Sequence, residues 1–203
     1  MVNTAFNKKE LPYFRIGSSY GGNQEWFDGV WMKMGGCAAE TACETSIYLD
    51  LYKGTSLYPF DIKSLNKEDY IKFGSIMKPY LRPRMSGIDK LSIYIEGFGQ
   101  FLKDRKSNIT LSGVEGTENV EKAREAVRKQ LENEIPVPYL CLKHSDKSFD
   151  DYEWHWFILN GFETDGEAFI VKAVTYSEFE WLDFNRLWDT GYAQKGGLII
   201  VNL

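Results

Sequence analysis

The chain has 203 residues, 43% of them hydrophobic and 15% aromatic, which suits one domain with a substantial core and excludes a disordered chain. Its net charge of -5 gives no global attraction to nucleic acid or to an anionic membrane, and no apolar run is long enough to span a bilayer. Three widely spaced cysteines, and a polar stretch from Met1 to Leu11 where a signal sequence would be apolar, lead us to expect reduced thiols and a cytoplasmic setting.

Residues 1–34 read as irregular, with Gly17-Ser18-Ser19-Tyr20-Gly21-Gly22 as a loop. Residues 37–52 lack Pro and Gly and carry Ala38, Ala39, Ala42, Ile47 and Leu49, which predicts a buried helix stopped near Gly54. Asn66 with Asp69 three residues on predicts the capped start of a second helix, ending before Pro83. A third is expected over Ile88 to Lys106, weakened by Gly97 and Gly99. Beyond it the pattern changes. Ile109-Thr110-Leu111 reads as a short strand and Thr117 to Glu132 as an exposed charged helix. Val137 to Lys143, Glu153 to Phe162, Ala168 to Thr175 and Leu198 to Val201 read as strands, with Glu163-Thr164-Asp165-Gly166 as a hairpin turn. These expectations describe one α+β domain over 1–203, a mainly helical part (1–106) packed against a mainly antiparallel β-sheet part (107–203).

Two short segments carry chemistry. Cys37 sits in Gly35-Gly36-Cys37-Ala38-Ala39-Glu40, where a glycine turn runs into a helix. Unpaired N–H groups and the helix dipole at such a position favour a thiolate. His155 sits in Trp154-His155-Trp156-Phe157-Ile158-Leu159-Asn160-Gly161-Phe162, near the start of a strand. A histidine held there can take the proton of a thiol, which is the logic of nucleophilic catalysis by cysteine.

The order, cysteine first on the helical part and histidine later on the sheet part, resembles the papain-like cysteine peptidase superfamily. In that family the histidine is followed by an apolar run and then Gly-aromatic at the sixth and seventh positions, where Gly161 and Phe162 stand here. The preceding Glu134-Ile135-Pro136-Val137-Pro138-Tyr139-Leu140-Cys141-Leu142, a charged helix leading into a strand, is similar to bacterial C39-like peptidases. The resemblance implies a papain-like fold, with Cys37 as nucleophile and His155 as general base and later acid. It implies the Cys37 N–H and an upstream glutamine amide as oxyanion donors. The usual spacing puts that glutamine at Trp31, so Gln24, thirteen residues before Cys37, is the first candidate and Asn23 the second. The Asn or Asp that orients the imidazole falls on Ala173, which has no hydrogen-bonding group. Thr175 shares that strand face and is the expected substitute, and Glu153 shares a strand face with His155. The implied substrate is a peptide or related amide, cleaved through an acyl-thioester resolved by water or by an amine. The competing reading is a catalytically inactive papain-like binding or scaffold protein, which Ala173 favours.

The remaining features have plainer readings. Cys43 lies on another helix face from Cys37, and Cys141 belongs to a strand; both read as structural. Cys141-Leu142-Lys143-His144 has a gap that zinc could use, but no second close pair accompanies it, so neither metal nor cofactor is expected. His144 and the acidic run Asp146, Asp150, Asp151 and Glu153 read as a solvated loop. Trp154, Trp156, Phe157, Phe162, Trp181, Phe184 and Trp188 read first as sheet packing; the alternative reading has some of them line a cleft beside the catalytic pair. The Gly-rich stretches lack the strand–Gly–helix phosphate pattern. The expected partner is a peptide or amide substrate, with no nucleic acid and no membrane.

Overall fold

A computed structural model describes residues 6–85 and 87–203, so the first five residues of the expected irregular stretch lie outside it. The longest helix of the first half begins at the candidate nucleophile. It is α2 (Cys37–Lys53), preceded by the one-and-a-half-turn α1 (Val30–Gly35). Every residue of α2 from Cys37 to Leu49 is buried. Its interior polar side chains are satisfied locally: Thr41, Thr45 and Ser46 donate to the carbonyls four residues back at 2.7–2.8 Å. Gly54 ends it in the left-handed conformation, φ 70°, as expected. In α3 (Lys67–Met77) Asn66 caps as predicted, accepting the Asp69 N–H at 2.9 Å. The third expected helix is shorter than its sequence pattern, α4 (Leu91–Asp104).

The second half is an antiparallel sheet. Its strands are β4 (Thr110–Glu115), β5 (Val137–Cys141), β6 (His155–Asp165), β7 (Ala168–Thr175), β8 (Glu178–Asp183) and β9 (Gly197–Asn202), in the order β4-β9-β5-β6-β7-β8. The α+β expectation therefore holds: helices first, an antiparallel sheet after. One strand comes from the stretch read as irregular. β1 (Asn7–Glu10) pairs with the far half of β6, from Asn7↔Thr164 to Glu10↔Gly161, while β5 pairs with the near half. A small hairpin, β2 (Arg15–Ile16) with β3 (Ser19–Tyr20), follows it.

Helices cover both sheet faces, as alternation along β6 requires. Trp156 stacks on Tyr94 of α4, centroids 4.3 Å apart, and its Nε1–H donates to Ile88 O at 2.7 Å. The next residue, Phe157, meets Tyr139, which contacts Phe184 and Trp188 of α6 (Phe184–Trp188) on the other side. α5 (Val120–Glu132), read as exposed, buries Ala123, Val127 and Leu131, and Gln130 exchanges two hydrogen bonds with Val201 of β9. Among the described residues no helix is long and apolar enough to cross a membrane.

α2 packs against β6 and β5. Since Cys37 opens α2 and His155 opens β6, the helix–sheet seam is where the two can meet.

Candidate active site

The turn into α2 is built on a close backbone approach. A Cβ at Gly36 would lie 2.2 Å from the Met32 carbonyl oxygen, so only glycine admits this path. Cys37 is the first helical residue, and its N–H has no carbonyl a turn back within α2. Across the seam, Trp154 holds φ 54°, a left-handed conformation unusual for a bulky residue, and delivers His155 to the strand.

Cys37 and His155 line one cleft of about 520 Å³, together with Gln24, Trp31, Arg84 and Tyr176. Both are nearly closed off from solvent, at 5% and 4% exposure. His155 Nε2 lies 2.6 Å from Thr175 Oγ1. Val174 pairs with Ile158, so Thr175 is two residues nearer than Ala173 to the start of β6. Ala173 is buried between Leu159 and Glu180 of the neighbouring strands. With Nε2–H donating to the Thr175 hydroxyl, the basic lone pair is on Nδ1, which no described residue hydrogen-bonds.

The electrostatics differ from the expected thiolate. Burial pushes the Cys37 thiol up to about 11, against the downward pull of the Trp156, Ala38 and Cys37 N–H groups, and Glu40 adds to the rise. Burial also drives His155 down to about 4. Both shifts favour thiol and imidazole over thiolate and imidazolium. Desolvation outweighs the helix N-terminus here because the sulfur lies inside the seam, whereas the sequence alone shows only the helix start. The sulfur and the ring are not hydrogen-bonded to each other at rest.

No protein-family model and no curated protein matches the chain. Among solved structures it is similar to the Pseudomonas avirulence protein AvrPphB, at 8% identity and a TM-score of 0.37, covering 93% of this chain and 100% of that one. Neither family nor activity follows from a likeness this low.

The other sequence candidates divide. Gln24 reaches the cleft: it is buried, its Nε2 donates to Lys33 O at 2.9 Å, and its Oε1 has no partner. No second acceptor for its Nε2 is found among the described residues. Asn23 does not line the cleft, because its side chain caps the short 3₁₀ turn Gln24–Trp26 by accepting the Glu25 N–H at 2.8 Å. Glu153 lines the cleft, but its carboxylate accepts the His144 N–H at 2.7 Å and does not orient His155. His144 is buried, contrary to the solvated reading. Its Nδ1 accepts from Asp146 N at 3.0 Å and its Nε2 faces Arg186 O at 3.0 Å, so both nitrogens are occupied. Cys43 is wholly buried in α2 and Cys141 in β5. Asp146 caps the following 3₁₀ turn and pairs with Arg186 at 2.6 Å, so the acidic loop is ordered, not merely solvated. Among the described residues no group of three or more His, Cys, Asp or Glu is placed to hold a metal.

Tyr176 is the site residue that the sequence did not mark. Its ring lies parallel to His155, 3° between planes and 4.8 Å between centroids. It stands in a turn whose two central residues, Tyr176 and Ser177, both have positive φ, 50° and 67°. Below the site, Glu40 and Glu44 project from α2 toward the loop that carries Gln24. Glu44 accepts from Gly22 N and from Tyr13 Oη, at 2.5 and 2.8 Å. Burial pushes both carboxyls up, Glu44 to about 7, despite the pull of those hydrogen bonds.

Proposed function

We propose that the protein is a cysteine hydrolase acting on a peptide or related amide bond. The observation that supports it most is the 2.6 Å contact of His155 Nε2 with Thr175 Oγ1 in the cleft that also holds Cys37. It fixes the ring through one nitrogen and frees the other for the thiol. In this reading the Cys37 proton passes to Nδ1 as the sulfur attacks the carbonyl carbon. The carbonyl electrons move to oxygen, where the Cys37 N–H and the free Gln24 Nε2–H receive them. The imidazolium then protonates the leaving amine, leaving a thioester on Cys37. Water attacks that thioester, gives a proton to Nδ1, and the thiol is restored as the acid departs; an amine in place of water makes the reaction an acyl transfer. Because thiol and imidazole are both neutral at rest, deprotonation accompanies attack instead of preceding it.

At the finer level we assign the chain to the papain-like superfamily and its C39-like group, with a cytoplasmic setting. Cys37 before His155, Gly161-Phe162 after it and the Ile135-Pro136-Val137 entry to β5 support that assignment. The second reading is a papain-like binding or scaffold protein without turnover. It is favoured by a thiol raised to about 11 and by the absence of an Asn or Asp at Ala173.

The test is incubation with p-nitrophenyl acetate, followed by mass spectrometry of the intact protein and its peptides. Acylation of Cys37 with continued release of p-nitrophenol supports the hydrolase. Acylation without turnover supports the scaffold reading, and no adduct on Cys37 removes its role as nucleophile.

A further inference from the structure

In a chain of net charge -5, three cations beside the cleft lack a carboxylate partner among the described residues: Lys78, Arg82 and Arg84. All three are exposed, while Met77 and Leu81, which alternate with them, are buried. Lys78, Pro79, Arg82 and Pro83 form a groove of about 410 Å³ with Trp31, and no acidic side chain lines it. Trp31 also lines the cleft of Cys37 and His155, as does Arg84, so groove and cleft share one indole as a wall. That indole is 58% exposed, and beside it Met34 and Met85, at 73% and 95%, present further apolar surface at the cleft.

We propose that this groove recognises the substrate: a polypeptide carrying acidic residues next to a bulky apolar one, the acidic stretch on Lys78 and Arg82 and the apolar side chain on Trp31. The word substrate rests on the hydrolase reading; the binding chemistry does not. Unpaired cations in a concave, acid-free channel attract carboxylates, and arginine holds them through a two-pronged donor geometry. Exposed indole and thioether surface gains by being covered with an apolar side chain. The cleft on the other side of that shared wall holds Cys37 and His155, and a peptide lying along both would present it a carbonyl at every residue. A nucleic acid long enough to fill the groove would run on over a protein of net negative charge, which repels it.

The probe is a fluorescein-labelled 4:1 copolymer of glutamate and tyrosine, titrated by fluorescence anisotropy into the full chain carrying Cys37→Ala, so that turnover does not consume it. Binding is expected to weaken as salt rises. It is expected to fall at least about tenfold in Lys78→Glu/Arg82→Glu, and by less in Lys78→Gln/Arg82→Gln, with circular dichroism confirming that both variants fold. No binding by the copolymer, binding that survives the charge reversal, or equally tight binding of a labelled oligothymidylate overturns the proposal. Acylation of Cys37 in the unaltered protein is read separately. If it fails, the hydrolase reading falls while the copolymer result still judges the groove.

Discussion

The molecule holds two cysteine–histidine pairs, and they behave in opposite ways. Cys37 and His155 lie on different elements and line one cleft at the seam, with one imidazole nitrogen held by Thr175 and the other without a partner among the described residues. Cys141 and His144 are close in sequence and buried, but His144 has main-chain groups on both ring nitrogens and the Cys141 thiol faces Leu142 O at 3.5 Å. In the second pair main-chain groups engage the whole imidazole; in the first, one ring nitrogen has no partner among the described residues. Residue type alone does not tell the two pairs apart. What separates them is whether the fold uses up the imidazole before a substrate arrives.

Replacement of the two histidines breaks or upholds that comparison most sharply. His155→Ala is expected to slow acylation of Cys37 by about 10²–10⁴-fold, the ordinary worth of a positioned general base, while His144→Ala leaves that rate unchanged. Equal effects from the two would erase the distinction. Next in size, Thr175→Val removes the hydroxyl on Nε2 and is expected to cost about 10–100-fold in the same rate, with Thr175→Ser restoring most of it. A structural role alone would lower stability without this recovery by serine. His144→Ala should instead appear in chemical denaturation, as a loss of about 0.5–1.5 kcal/mol from the hydrogen bond to the half-buried Asp146 N–H.

A further effect concerns pH. Folded Glu44 keeps its proton up to about 7, whereas in the unfolded chain it ionises near 4.5, so the folded state binds more protons across that window. Stability attributable to Glu44 therefore falls as pH rises from 4.5 to 7, and Glu44→Gln should flatten that decline in denaturation measured at a series of pH values. His155 acts with the opposite sign. Its folded imidazole stays neutral down to about 4, while the unfolded chain takes up the proton below about 6.5, so its contribution is lost as pH falls from 6.5 to 4. In Glu44→Gln the acid-side loss should stand out more clearly than in the unaltered protein.

Much of the seam was legible in the residues. The glycine turn before Cys37, the Asn66 cap and the stop at Gly54 are local signals with local causes, and the structure contains each. Thr175 could be found by the two-residue period of a strand, because the hydroxyl and Ala173 share a face. Other features had no local signal. β1 is the short polar run Asn7-Lys8-Lys9-Glu10, whose pairing depends on a partner more than 150 residues away. β8 follows the turn at Tyr176-Ser177, where both residues adopt positive φ without the Asn-Gly that normally announces such a hairpin, so both the strand and the ring stacked on His155 were hidden. Asn23 and Gln24 looked alike as amide donors, and only the capping of the 3₁₀ turn separates them. The charge state of Cys37 was misleading for a physical reason: a helix start is visible in sequence, but the depth at which it is buried is not.

The central claim is that His155 takes the proton of Cys37 within one cleft. The rate of Cys37 acylation by p-nitrophenyl acetate, followed against pH in the unaltered protein and in His155→Ala, tests it most directly. The rate is expected to rise with a midpoint near pH 4 and then hold level through neutrality, and in the variant to stay much lower and climb only as pH approaches about 11. Superimposable profiles would contradict it.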